Sequence, residues 1–262
     1  MKVKSMWVVL CIVGMSLMGV SQQGMAASAR LTKIQSVGKI IVGMNVGYEP
    51  FEFKDKNGKL VGFDVDIAKE LAKVLDVELE IKEYAFDDLI PRIGGDIDII
   101  ISGMTRTLDR AMIVNFTEPY FRTGQAIIVT EKNAHIEDWK ELNDPKNKIA
   151  VVEGTTSQDL ADKHLKAKIV RASTEAEAAK LLAENKVDAL LYDRPYLDML
   201  YASHPTWKVF KRQLNYELYC FAIASGDWEF LLWLNCFITE LKLSNKYEQI
   251  YRDWFKGEPN LD

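Results

Sequence analysis

One pattern, used twice, constrains this chain more than any other: a helix-spaced segment and a turn, then an aspartate heading a wholly apolar run. It occurs at 98–101, led by Asp98, and again at 188–192, led by Asp188. A short continuous apolar run is the mark of a strand buried on both faces, and such strands belong to parallel sheets covered by helices. The surrounding segments agree. Residues 39–44 read as a strand, 64–75 as a helix with Ile67, Leu71 and Leu75 on one face, 77–83 as a strand, and 86–93 as a short helix closed by Gly94-Gly95. After a polar break at 132–148, residues 149–152 read as a strand and Thr155-x-x-Gln158 as a capping box opening a helix. Residues 168–170 form the next expected strand, and Thr174-x-x-Glu177 caps the next helix. This alternation predicts an α/β chain of two similar lobes, each a mainly parallel sheet flanked by helices. From Tyr219 a strand and two amphipathic helices follow, with Leu231, Leu234, Ile238 and Leu241 on one face and Tyr247, Ile250, Tyr251 and Trp254 on the next.

The first 29 residues read differently. Lys2 and Lys4 precede an apolar run over 6–20, then the small residues Ala26, Ala27 and Ala29. That is the order of a secretory signal peptide, with cleavage expected after Ala26 or Ala29. The run is shorter than the ~20 residues a spanning helix needs, and Cys11 within it lies too early for lipid attachment. Cleavage removes two lysines and no acid, leaving 31 basic against 38 acidic residues. Such a surface repels nucleic acid and anionic lipid. A monomeric periplasmic protein that binds small solutes is expected, and a chain with 48% hydrophobic residues buries a real core. Cys220, in an apolar strand-like run, and Cys236, in a helical stretch, are read as small buried hydrophobes rather than as a disulfide.

The block Ser102-Gly103-Met104-Thr105-Arg106-Thr107-Leu108-Asp109-Arg110, running on to Phe116-Thr117-Glu118-Pro119-Tyr120-Phe121, carries the functional signal. A strand ending in hydroxyl and glycine residues, with an arginine one or two turns on, offers backbone N–H groups and a guanidinium fork to a carboxylate. The block resembles the signature of the family 3 periplasmic solute-binding proteins, the amino-acid receptors of ABC importers. In these a strand, Ser-Gly or Ser-Ser, Thr and Arg precede Phe-Ser/Thr-x-Pro-Tyr. The resemblance implies a two-lobed type II binding protein with its ligand in the cleft between lobes. After a signal peptide at 1–29 it places a discontinuous first lobe at 30–121 and 222–262, a second lobe at 126–217, and hinge crossovers at 122–125 and 218–221.

In open α/β sheets ligands sit beyond the C-terminal ends of strands, and the polar residues fall there. Arg110 and the backbone at Thr155 and Thr156, at a helix N-terminus, would converge on an α-carboxylate. Asp193, just past a buried strand, is placed to accept from an α-ammonium, with Ser102, Gly103 and Thr105 beside it. By resemblance, Arg110, Thr105, Thr156, Asp193 and Ser102 match positions that hold the ligand's backbone, while Asn45, Tyr48 and Phe86 match positions around its side chain. Asn45 stands where several basic-amino-acid and glutamine receptors carry aspartate. Glu52 or Glu153 would restore negative charge if either faces the cleft, and the reading leans towards polar or basic L-amino acids. Each residue also has a plainer role. Arg110 would pair with Asp109 or Glu118, Asp193 would cap the next turn, Tyr48 and Phe86 would be core aromatics, and the threonines would cap helices with or without a ligand.

An enzymatic rival shares the fold. Thr105-Arg106-Thr107-Leu108 also resembles the cyclohexadienyl dehydratases, which eliminate water and carboxylate from prephenate or arogenate. Those enzymes carry a glutamate general acid where this chain has Tyr196, and a lysine where it has Gln125. A tyrosine near pKa 10 is a poor proton donor, so binding without catalysis is expected, with the membrane subunits of an importer as partner. No cofactor or metal is expected: His135, His164 and His204 are scattered without ligand spacing, and no phosphate loop, nucleophile elbow or Cys-x-x-Cys is present.

Overall fold

A computed structural model describes residues 28–255 and 259; apart from Ser28 and Ala29, the expected signal peptide lies outside them. Helix α1 (Ala29–Val37) leads into β1 (Lys39–Met44), the hairpin of β2 (Phe53–Lys54) and β3 (Leu60–Val61), α2 (Phe63–Leu75) and β4 (Glu78–Glu83). Helix α3 (Phe86–Arg92), β5 (Ile99–Ile100), the single turn α4 (Leu108–Ala111) and the long β6 (Val114–Thr123) complete this part. The chain then enters β7 (Gln125–Val129), β8 (Lys148–Val152), α5 (Thr156–His164), β9 (Lys168–Ala172), α6 (Glu175–Ala183), β10 (Ala189–Asp193), α7 (Arg194–Ser203) and β11 (Lys208–Val209). It returns through β12 (Glu217–Ala224) to α8 (Trp228–Leu243) and α9 (Asn245–Trp254).

Two five-stranded sheets result, ordered β4-β1-β5-β12-β6 and β11-β7-β10-β8-β9. Each is mixed rather than mainly parallel. β1 pairs in parallel with β4 and β5, and β8 with β9 and β10. The strands that carry the chain between sheets run the other way: β12 is antiparallel to β5 and β6, and β7 to β10 and β11. A chain that leaves one sheet and comes back must reverse, so the crossing strands supply the antiparallel half.

The duplicated aspartates explain themselves in this frame. Asp98 Oδ2 accepts from the Ile41 N–H at 3.0 Å and Asp188 Oδ2 from the Lys148 N–H at 2.9 Å. Each stitches the head of a central strand to its parallel neighbour, and the apolar residues that follow, Ile99 to Ile101 and Ala189 to Leu191, are fully buried. Helix α2 forms where 3.6-residue spacing places Phe63, Ile67, Ala68, Leu71 and Leu75 in the core. Its first turn also buries Asp64, a residue used at the cleft.

The caps divide. Thr174 accepts from the Glu177 N–H at 3.2 Å as expected, while Glu177 reaches back to Ser173 rather than to the cap residue. At α5 the box is not made: the Thr155 hydroxyl donates to the Val152 carbonyl at 2.7 Å, and Gln158 accepts from Gly154. Cys220 is buried and Cys236 exposed, both as free thiols. Cys236 departs from the expectation because α8 buries Phe230, Leu234, Phe237, Ile238 and Leu241, and residue 236 falls off that stripe. Among the described residues no helix is long and apolar enough to cross a membrane.

Candidate functional site

A cavity lies where the C-terminal ends of the parallel strands of both sheets meet. The room it leaves for the centres of water-sized molecules is about 20 Å³, well below the usual small-molecule site. All ten residues expected from the sequence line it: Asn45, Tyr48, Phe86, Ser102, Gly103, Thr105, Arg110, Thr155, Thr156 and Asp193. Glu52, Glu175 and Tyr192 line it as well, while Glu153 is exposed.

On the first-sheet side the loop after β5 is held from beneath. The Ser102 hydroxyl accepts from the Asn45 N–H and donates to Glu52. The Gly103 N–H donates to Asp64 Oδ2 at 2.7 Å, and the Tyr120 hydroxyl donates to the same oxygen at 2.7 Å. Glu52 and Asp64 are both fully buried. Glu52 Oε2 and Asp64 Oδ1 are buried without a hydrogen-bond partner, and a proton held between the two neighbouring carboxyls would satisfy both. Burial is the main force raising each above the usual carboxylate range, and the charge of Asp64 pushes Glu52 further. Gly103 has φ +52°, and a Cβ there would sit 2.6 Å from the Tyr48 ring. The loop therefore needs glycine for backbone and for space alike.

This corrects one expectation. The Gly103 N–H points inward to Asp64 rather than towards a ligand, and the Ser102 hydroxyl proton is spent on Glu52. Thr105 donates to Glu217 Oε2 at 2.6 Å, so its hydroxyl oxygen is left only as an acceptor.

Arg110 has none of the plainer partners. It makes no ion pair with Asp109 or Glu118 among the described residues. Its guanidinium donates to the Thr105 carbonyl at 3.0 Å and, across the cleft, to the Gly154 carbonyl at 3.1 Å. It lies over the Phe86 ring, 5.1 Å from the centroid, a cation–π contact that fixes its plane. Burial draws its pKa down, against the pull of Glu217, Asp159, Asp193 and Asp87. The facing helix α5 begins at Thr156, whose hydroxyl accepts from Gln125 Nε2 at 2.8 Å. The same amide nitrogen reaches Ser157 Oγ at 3.1 Å.

Asp193 occupies the N-cap position of α7 but makes no capping hydrogen bond. Its carboxylate turns into the cleft instead. Tyr219 donates to Oδ2 at 2.6 Å, and the Tyr48 hydroxyl lies 3.1 Å from the same oxygen and 2.6 Å from that of Tyr219. Oδ1 is buried without a partner. Burial, then the charge of Glu217, raises the Asp193 pKa to about 8, against the two tyrosine hydrogen bonds. Tyr48 is thus neither a plain core aromatic nor free: it stacks on Phe51 at 4.8 Å and bridges the cleft.

Among the cavity residues, Glu175 and Tyr192 were not singled out from the sequence. The signal was available, since Glu175 follows the C-terminal end of β9 just as Ser102 and Asp193 follow or close theirs. Its place inside a capping motif disguised it.

Two α/β halves that bring an arginine and an aspartate to one cavity have the make-up of a receptor for a small polar solute. The profile of the bacterial extracellular solute-binding proteins, family 3, matches residues 40–257, and the chain belongs to that family. It is 29% identical to the Bacillus subtilis ABC transporter glutamine-binding protein GlnH, over 87% of this chain and 85% of that protein. It is 30% identical to the Escherichia coli ABC transporter arginine-binding protein 1, over 83% and 90%. Among solved structures, that of the ancestral amino acid-binding protein AncCDT-1, a precursor of cyclohexadienyl dehydratase, superposes with a TM-score of 0.81 at 40% identity, covering 86% of this chain and 99% of the other.

Proposed function

We propose that this protein captures one L-amino acid in the cleft and delivers it, lobes closed, to the membrane subunits of an ABC importer. The observation that carries the reading is the approach of Arg110 and Asp193 from different sheets to one cavity. Arg110 holds the α-carboxylate with the N-terminus of α5 at Thr155 and Thr156. Asp193 takes the α-ammonium on its unpartnered Oδ1, with the Thr105 hydroxyl beside it. Charge-assisted hydrogen bonds net about 1.5–3 kcal/mol each, so three or four offset the cost of immobilising a ligand and reach the roughly −8 kcal/mol of micromolar binding.

Opening takes place about the two crossovers, 122–125 and 218–221, between a first lobe at 30–121 and 222–262 and a second at 126–217. Two features support this placement. The β6–β12 ladder is interrupted by register shifts between Tyr219 and Cys220 and between Cys220 and Ala222. At Gly124, in the first crossover, the chain packs against the segment that leads into the second, because a Cβ there would lie 2.2 Å from the Asn215 carbonyl oxygen.

The protein works as a periplasmic monomer released by cleavage after Ala26. Ser28 accepts from the Leu31 N–H at the start of α1 and donates to Asp227 at 3.2 Å, so a cut after Ala29 would remove that cap. Catalysis is not part of the function. Tyr196, in the place of the dehydratases' acid, is 7% exposed, and burial raises its pKa. Gln125, in the place of their lysine, is spent on Thr156 and Ser157.

Titration calorimetry across the twenty common amino acids tests the reading. Micromolar binding of at least one is expected, and nothing tighter than millimolar refutes it. Incubation with prephenate tests the rival: phenylpyruvate formation abolished by changing a cleft carboxylate would establish the enzyme.

A further inference from the structure

A zwitterion leaves the charges of this cavity unbalanced. With Arg110 matched by the α-carboxylate and Asp193 by the α-ammonium, the reading on which this inference rests, a further carboxylate remains. Glu175 lines the same cavity and is only 6% exposed. Its Oε1 accepts from the Tyr192 hydroxyl at 2.7 Å. No other donor and no cation pairs with it among the described residues.

Helix capping does not account for its position. Thr174 provides the cap of α6, and the residue that reaches back is Glu177. Glu52 is a different case, because Ser102 donates to it and its own burial with the charge of neighbouring Asp64 raises its pKa, which favours the neutral acid.

What surrounds Glu175 is aromatic and acidic. Its charge acts on Tyr192, Tyr196, Glu52 and Asp193. The rings of Tyr48, Tyr192 and Tyr196 form one cluster, with centroids 5.8 Å apart for Tyr48 and Tyr192, 5.5 Å for Tyr192 and Tyr196, and 6.2 Å for Tyr48 and Tyr196. A carboxylate closed away from water without a counter-charge is costly, and the faces of aromatic rings attract cations. An apolar ligand side chain would leave Glu175 unpaired, and an acidic one would meet it with like charge. A guanidinium or alkylammonium pairs with the carboxylate and finds aromatic faces around it. We infer that Glu175, with Tyr48, Tyr192 and Tyr196 beside it, selects amino acids whose side chain is a cation.

The test is calorimetry with L-arginine and L-lysine against their neutral near-isosteres L-citrulline and L-norleucine, on the parent protein and on Glu175→Gln. The parent is expected to prefer each cation over its neutral counterpart by at least about 10-fold. Glu175→Gln is expected to weaken the two cations by about 10- to 150-fold, as for loss of a charge-assisted bond, and the neutral ligands by less than about threefold on the same scale. Equal binding of cations and neutral isosteres by the parent overturns the inference while leaving the zwitterion reading standing, as does a Glu175→Gln variant that keeps the full preference. Binding of no amino acid at all overturns both. The parent's own discrimination requires no variant, so the test holds even if Glu175→Gln folds poorly.

Discussion

Two pairs of buried carboxyl groups flank the cleft, and their partners differ. Glu52 and Asp64, on the first-sheet side, are met by the Ser102 hydroxyl, the Gly103 N–H and the Tyr120 hydroxyl. Asp193 and Glu175, on the second-sheet side, accept only from tyrosine hydroxyls. Burial is alike in the two pairs. What separates the pairs is what they hold: the first accepts from Ser102 and Gly103 of the loop after β5, while the second meets only tyrosine hydroxyls where it lines the cavity.

Mutation sharpens that comparison, and the largest effect belongs to the cation that lines the same cavity. Arg110→Ala is expected to weaken binding about 100-fold or more, as for breaking a buried ion pair, with little change in the ligand-free melting temperature; calorimetry and a thermal melt read the two sides. Asp193→Asn comes next, at about 10- to 100-fold, the loss of a charge-assisted bond. Because the pKa of Asp193 is raised to about 8, the ligand-free protein holds a proton there below that pH, and an α-ammonium must displace it. Affinity should therefore rise as pH approaches about 8, with protons released into the buffer on binding. The asparagine variant should release fewer, as calorimetry in buffers of different ionisation enthalpy would show.

The first-sheet pair should respond in stability instead. Asp64→Ala removes the acceptor for Gly103 and Tyr120 and should cost about 1–3 kcal/mol in urea unfolding. Both carboxyls have raised pKa values, Asp64 from 3.8 to about 7, so the folded protein keeps protons that the unfolded chain has lost. Their contribution is fully present below about pH 4 and declines as pH rises towards 7. Asp64→Asn should flatten that slope, and an unchanged slope would remove the shared proton from the account. The smallest effect expected is Gly103→Ala, about 1–2 kcal/mol for a left-handed backbone, with a modest loss of affinity as the Tyr48 ring is displaced.

The architecture was legible because it is written in local patterns. Asp98 and Asp188 head buried strands, and the stripe Ile67, Leu71, Leu75 makes one helix face whatever surrounds it. The antiparallel half of each sheet was not legible, since the direction of β7 and β12 depends on where the chain crosses. At the site, residue types at strand ends pointed to Arg110 and Asp193, but the direction in which a group faces is a tertiary property. Gly103 turns its N–H to Asp64, a residue 39 positions earlier, and Thr155 abandons its cap for the Val152 carbonyl. Glu175 looked like part of a helix start because the neighbouring Thr174 and Glu177 are one.

The central claim is that charges of opposite sign from the two lobes hold the two ends of one amino acid. The most direct measurement compares the tightest-binding amino acid of the screen with its methyl ester, by calorimetry, on the parent protein and on Arg110→Ala. The ester should bind the parent about 100-fold more weakly, and the variant should bind acid and ester alike. Equal affinity of acid and ester for the parent protein would mean that Arg110 holds no carboxylate, and the account would be wrong.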